Sequence, residues 1–187
     1  MRWTRLFDDL EAQLLRLEQA EREAEIAEVT RSERGRVSLI EALAADLGLT
    51  LRIEAMGVGR IEGELSEVGS NWCMLEMAVQ GPARRRSVLV SVSAIQTVAG
   101  LSGSVDQREG ASARRFDMRS ALRALARDRA MVRIHLASGA TVSGTLDRVG
   151  QDHIEVADHP EDAPRRASSV RQVHSVPLWA LCALRQI

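Results

Sequence analysis

The chain has 187 residues, of which 45% are hydrophobic and 27% charged, and its formal net charge is -1. This composition is that of a globular protein with room for two small domains and an appendage. No apolar run approaches about 18 residues and no cleavable signal pattern opens the sequence, so we expect a cytoplasmic protein without a membrane partner.

An amphipathic helical arm is predicted over residues 1–35. Its apolar residues recur at alternating intervals of four and three, which places them on one stripe of a helix whose other faces are charged. The stripe is a candidate seam for packing on the rest of the chain or for dimerisation, and it consists of Trp3, Phe7, Leu10, Leu14 and Leu17. A second helical segment follows over about residues 36–47 and ends at Gly48.

Strand-like alternation begins at Leu49, and within it the apolar residues Leu51, Ile53 and Ala55 alternate with Arg52 and Glu54. The pattern continues through several short segments separated by turn residues. A β-rich region of this kind favours a small, strongly bent barrel.

The sequence from Arg60 to Gly69 returns in altered form from Thr141 to Gly150. Each copy follows a helix-like segment and precedes a β-rich tail, so one supersecondary module is used twice. Glycines inside the strands, Gly63 and Gly144, indicate a bend or a close backbone approach.

The repeat predicts four segments. The helical arm is followed by a first repeat with its leading helix, by a linker rich in Gly and Ser, and by a second repeat with its leading helix. Their predicted bounds are 1–35, 36–100, 101–113 and 114–187.

The segment from Gly139 to Leu146 resembles the opening of the first Sm motif, and Val58 to Leu65 is a weaker copy. With a helix and five short strands in each repeat, the chain resembles the Sm, LSm and Hfq proteins. The resemblance implies an α+β fold in which N-terminal amphipathic helices precede two tandem Sm-like (SH3-like) five-stranded small β-barrels, each preceded by a helix. It also implies RNA as a partner and edge-to-edge joining into a homo-oligomer.

The residues of the Sm uridine pocket do not carry over. Gly69 and Gly150 stand where Sm proteins have an Asp, and Cys73 and Ile154 stand near the position of its Asn. The chain also resembles a group of proteins from high-GC Gram-positive bacteria, some of them classed as Fis-family transcriptional regulators. A Fis-type protein needs a C-terminal helix-turn-helix, whereas the end of this sequence is strand-like.

Four arginines recur every fourth residue along the second leading helix, which aligns them on one face. They are candidates for binding phosphates or a partner: Arg115, Arg119, Arg123 and Arg127. The alternatives are a solvated face and pairing with the acidic arm through Glu21, Glu25 and Glu28.

Two tryptophans have different expected roles. Trp72 would stack a nucleobase if it is exposed, and it is the largest side chain of the first repeat's core if it is buried. Trp179 follows Pro177 and Leu178 at a break between strands, where we expect it to pack beneath the second barrel.

No segment carries a nucleophile-and-base signature, a dinucleotide loop or a recognised metal-ligand spacing. The histidine-bearing acidic run from Asp152 to Asp162 is expected to be an exposed hairpin, and Cys73 and Cys182 are expected to be buried thiols. We therefore expect a non-enzyme without catalytic residues, cofactor or metal.

The leading hypothesis is a non-catalytic regulatory adaptor linked to RNA or to transcription. The first alternative is a protein-interaction scaffold that binds no nucleic acid, for which a protein partner is expected. A DNA-binding transcriptional regulator is the third.

Overall fold

A computed structural model describes residue 22 and residues 37–78, 85–103, 116–160 and 169–187. The chain divides into two compact units, Met1–Ser38 and Leu39–Ile187. The predicted helical arm falls outside the described residues except for Arg22, and so does its seam of Trp3, Phe7, Leu10, Leu14 and Leu17. Among the described residues, no helix is long and apolar enough to cross a membrane.

The unit Leu39–Ile187 contains two halves that repeat one order of elements. The first half comprises α1 (Leu39–Ala45), β1 (Thr50–Ala55), β2 (Gly59–Val68), β3 (Trp72–Ala78), β4 (Arg85–Ser91) and β5 (Ile95–Ala99). The second half comprises α2 (Met118–Arg127), β6 (Met131–Leu136), β7 (Thr141–Val149), β8 (His153–Asp158), β9 (Gln172–Pro177) and β10 (Leu181–Gln186). A short 3-10 turn precedes the last strand of each half, Val92–Ala94 and Leu178–Ala180.

Several local predictions are confirmed. The apolar residues predicted for the first strand, Leu51, Ile53 and Ala55, are all buried on one face of β1. A Cβ atom at Gly63 would lie 2.7 Å from the Glu76 carbonyl oxygen, and one at Gly144 would lie 2.1 Å from that of Ala157. Both glycines therefore mark a close approach between neighbouring strands, as their position inside a strand predicted.

The predicted fold class is wrong: two separate five-stranded barrels behind N-terminal amphipathic helices are not what the described residues form. They form one open, ten-stranded antiparallel sheet with the order β5-β1-β2-β3-β4-β10-β6-β7-β8-β9. The strand order still shows the repeat, because in each half the fifth strand pairs with the first. The halves are continuous parts of one sheet.

Pairing between β4 and β10 explains the difference. Their register joins Val90 to Ala183, Leu89 to Leu184 and Val88 to Arg185. Neither half closes on itself, since the fourth strand of the first half uses its free edge to bind the fifth strand of the second. Alternation of apolar residues shows which side chains share a face, but it does not show which strand edges meet.

Two hydrophobic clusters lie on opposite faces of this junction. Val88, Val90 and Ala183 belong to the cluster formed mainly by the first half. Leu89, together with Trp72, belongs to the cluster formed mainly by the second half and α2. Each half therefore completes the other's core, and the junction is buried on both faces.

The outer edges of the sheet, β5 and β9, each pair with one strand within the described residues. Strand β9 is the counterpart of β4, so the positions that are apolar at the junction can be compared with the equivalent positions at this free edge. Met74 pairs with Leu89 in the first half, and Glu155 pairs with Ser175 at the corresponding place in the second. Polar residues at an edge disfavour further strand pairing. Edge-to-edge association of copies stays a prediction.

Replacing Gly57 by Ala should destabilise the fold through the contact between the halves. A Cβ at Gly57 would lie 2.0 Å from the Leu136 carbonyl oxygen, whereas a Cβ at Gly59 would meet nothing within 4 Å. Both glycines have positive φ, 71° and 82°, so the two substitutions share the backbone strain.

We expect Gly57→Ala to lower the free energy of unfolding by about 1–3 kcal/mol more than Gly59→Ala, because the clash forces a backbone shift. Urea denaturation of both variants measures the difference. Equal losses of stability would show that the turn does not hold the halves together.

Candidate nucleic-acid interface

The start of α2 is fixed by the loop between β2 and β3. Asn71 accepts a hydrogen bond from the Met118 backbone N–H through Oδ1 at 2.8 Å. Asp117 caps the helix, and its Oδ1 accepts from the backbone N–H of Ser120 at 3.0 Å and from the Ser120 hydroxyl at 2.8 Å. These bonds satisfy amides that a helix start otherwise leaves unpaired.

One face of α2 is buried and another carries the arginines. Met118 and Leu122 pack in the second cluster, as their spacing from the arginines predicted. Arg115 lies outside the described residues. Arg119 pairs with Asp117 at 2.7 Å, and its Nη1 donates to the Gln151 carbonyl at 3.4 Å. Its charge is therefore largely balanced within the protein.

Arg123 and Arg127 are exposed, and no residue in the described part of the chain forms an ion pair with either. They stand one helical turn apart, about 6 Å along the axis at a rise of about 1.5 Å per residue. Among the described residues, the predicted stripe therefore contains two exposed arginines without an ion-pair partner, next to Arg119, which Asp117 already holds.

Of the two alternatives for Trp72, the structure shows the buried one. Its side chain is 5% exposed and lies in the second cluster, although the residue belongs to the first half. The indole Nε1–H donates to the Phe116 carbonyl at 3.1 Å. Trp72 therefore ties α2 to the first half.

Trp179 does not pack beneath the sheet. It lies in the 3-10 turn before β10 and is 78% exposed, the most exposed of the large hydrophobic side chains in the described residues. The sequence repeat indicates the exposure of Trp179, because the equivalent residue in the corresponding turn of the first half is Ser93. Serine is mostly found at protein surfaces, so its presence in one copy indicates a surface position, and Ser93 is indeed exposed.

A concavity of about 380 Å³, here called the Trp179 pocket, lies between this turn, the start of α2 and the first half. Polar side chains supply much of its wall. It is lined by Asn71, Ser91, Ser93, Asp117, Met118, Arg119, Leu178 and Trp179. The pocket combines an exposed aromatic ring with hydrogen-bonding groups and a guanidinium.

A second, apolar groove of about 390 Å³ runs along the other side of α2 against β3 and β4. Phe116, which is 60% exposed, stands at this groove. Its remaining lining is Glu67, Trp72, Met74, Leu89, Ser120, Ala121, Ala124 and Leu125. A surface of this composition suits an apolar protein segment better than a polyanion.

Burial makes the thiols poor nucleophiles. It raises the pKa of Cys73 to about 12 and raises that of Cys182 as well. Both cysteines are buried and unpaired, as predicted. His153 bonds to Asp152 at 2.9 Å, and no described group of three or more His, Cys, Asp or Glu residues is arranged to hold a metal ion. Glu161 and Asp162 lie outside the described residues.

No protein family, curated protein or solved structure matches the chain.

The cap of α2 should make stability depend on pH. The Ser120 hydroxyl, followed by Arg119 and the Ser120 backbone N–H, lowers the pKa of Asp117. A carboxyl whose folded pKa is depressed stabilises the fold above its unfolded pKa of about 3.9, and this contribution is lost as pH falls through the folded pKa.

We expect Asp117→Ala to lower the free energy of unfolding by about 0.5–2 kcal/mol at pH 7, and Asp117→Asn to lower it less because Asn also caps helices. The difference between wild type and Asp117→Ala should shrink below about pH 4. Urea titrations at a series of pH values measure it. A difference that is the same at pH 7 and pH 3 would contradict this role of the carboxylate.

Proposed function

We propose that the protein is a non-catalytic adaptor that binds RNA, acting in RNA-linked or transcription-linked regulation. The observation that carries the proposal is the pair of exposed cations on α2, Arg123 and Arg127, which no described carboxylate neutralises. Guanidinium groups are well suited to phosphate because they donate in a planar fork.

The rigid base of the helix supports the same proposal. Met118 and Leu122 anchor α2 in the core, and Asn71 and Asp117 fix its start. The arginines therefore project from a held backbone, which lowers the entropy lost when they bind. Arg119 contributes less charge, because Asp117 is its partner.

Two phosphate contacts to a single strand correspond to a slope of about -1.4 in log affinity against log salt concentration. On this slope, raising salt from about 50 to 200 mM weakens binding about sevenfold. Such a site alone gives modest affinity, as suits an adaptor that meets its RNA within a larger assembly.

Reversing Arg123 and Arg127 together to Glu should weaken binding of a single-stranded oligoribonucleotide, and the loss should diminish as salt rises. The double variant Arg123→Gln and Arg127→Gln removes the positive charges without adding negative ones. Comparing it with the Glu variant separates the loss of phosphate contacts from repulsion by the new carboxylates. Fluorescence anisotropy at several salt concentrations measures both. The fold should persist, because surface substitutions usually change stability by no more than about 0.5 kcal/mol.

The matched control is the double reversal of Arg60 and Arg86 to Glu, two exposed arginines of the first half. It makes the same change in net charge without touching α2. If both reversals weaken binding equally, the attraction is a property of total charge and α2 is not the site. If wild-type protein binds no RNA at low salt, the proposal fails.

The apolar groove beside α2 favours a second candidate, a scaffold that binds a protein segment. Its lining by Met74, Leu89 and Leu125 offers burial to an apolar side chain, and exposed Phe116 stands beside it. Failure of RNA binding in the experiment above, with the fold intact, would leave this candidate as the better account.

A further inference from the structure

We infer that the Trp179 pocket binds one unpaired nucleobase, so that the ligand of the protein is single-stranded rather than double-stranded RNA. The inference rests on the proposed function and specifies its ligand. It depends on three features of the pocket: an uncovered aromatic ring, free hydrogen-bonding groups around it, and continuity with the arginines of α2.

The exposure of Trp179 is the first feature. The indole of Trp179 is 78% exposed and leaves a large apolar face in water. Trp72, in contrast, is buried and hydrogen-bonded. The short 3-10 turn Leu178–Ala180 holds the side chain at the rim of the pocket. Every nucleobase has a flat π face that stacks on such a ring, whatever its identity.

The polar lining supplies the second feature. Asn71 lines the pocket and accepts a hydrogen bond from the Met118 backbone N–H through Oδ1, which leaves its side-chain NH2 group available as a donor. Ser91 and Ser93 form a hydroxyl pair at 2.8 Å, and this pair can still donate or accept at its second oxygen. A base edge carries the complementary donors and acceptors, whereas an aliphatic ligand would leave these groups unpaired.

Arg119 links the pocket to the rest of α2. Its guanidinium pairs with Asp117 at 2.7 Å, donates to the Gln151 carbonyl and lines the pocket. Arg123 and Arg127 follow it at intervals of about 6 Å along the helix axis. A strand with one base in the pocket can thus pass its next phosphates over these two arginines, which no described carboxylate neutralises.

Double-stranded RNA cannot use this arrangement. Its bases are paired and stacked inside the helix, and stacking on a protein side chain requires a base that is splayed out. Phosphate contacts with Arg123 and Arg127 would remain available to a duplex. The pocket therefore adds affinity for single strands only.

The test compares wild type with Trp179→Ala and Trp179→Phe, using a twelve-nucleotide single-stranded RNA of mixed sequence, the same strand in a duplex, and the same backbone with abasic sites. We expect Trp179→Ala to weaken single-strand binding about 5- to 140-fold, which is a stacking energy of about 1–3 kcal/mol converted at about 1.4 kcal/mol per tenfold. Trp179→Phe should retain most of the affinity, because a phenyl ring still stacks.

Two comparisons make the effect specific. Duplex and abasic probes should bind wild type and Trp179→Ala equally, and the salt slope should be the same for both proteins, since Trp179 contacts no phosphate. Val173→Ala is the matched control: Val173 is an apolar residue of β9 that is 54% exposed and lies outside the pocket. Its replacement should leave every affinity unchanged.

The outcomes separate this inference from the proposed function. If single-strand binding depends on Arg123 and Arg127 but Trp179→Ala leaves it unchanged, the pocket is not a base site and the proposed function stands. The pocket is likewise not a base site if Trp179→Ala weakens binding of the abasic probe as much as binding of the intact one. If wild type binds none of the probes, both proposals are overturned.

Discussion

Pairing of β4 with β10 is the interaction on which the rest of the structure depends. The two strands join the halves into one sheet, with Leu89 opposite Leu184 and Val90 opposite Ala183. Side chains on both faces are buried, one set in each hydrophobic cluster. A half of about 60 residues is marginal by itself, because so small a chain buries too little apolar surface. Sharing a doubly buried junction offsets that shortage for both halves at once.

The same junction creates the candidate interface. Because the halves are joined side by side, the β2–β3 loop of the first half reaches the start of α2, where Asn71 and Trp72 bond to Met118 and Phe116. The Trp179 pocket and the apolar groove lie on the two sides of this contact. Neither concavity belongs to one repeat alone. A function that uses them needs the duplicated chain, which is a physical reason for keeping both copies in one polypeptide.

Sequence patterns predicted the local structure better than its assembly. Alternation located β1, and the glycines inside β2 and β7 predicted the close approaches at Gly63 and Gly144. The spacing of residues along α2 predicted that its apolar residues and its arginines lie on different faces of the helix. Strand-edge pairing was not predictable, since each half contains the same strands whether it closes or joins its neighbour. Residue type alone predicts that a large apolar side chain such as Trp179 is buried, whereas its counterpart Ser93 in the first half indicates a surface position.

Native-state amide hydrogen exchange on the full chain tests the central claim most directly. If the β4–β10 junction is the shared core of both halves, the amides of Val88–Val90 and Ala183–Arg185 that hydrogen-bond across it should exchange only through global unfolding. The free energy of that exchange should equal the one that urea denaturation gives for the whole unit. Amides of the inner strands β2 and β7 should then show the same limit. Exchange at the junction that is faster than in β2 and β7, with its own lower free energy, would mean that the halves are independent domains in simple contact.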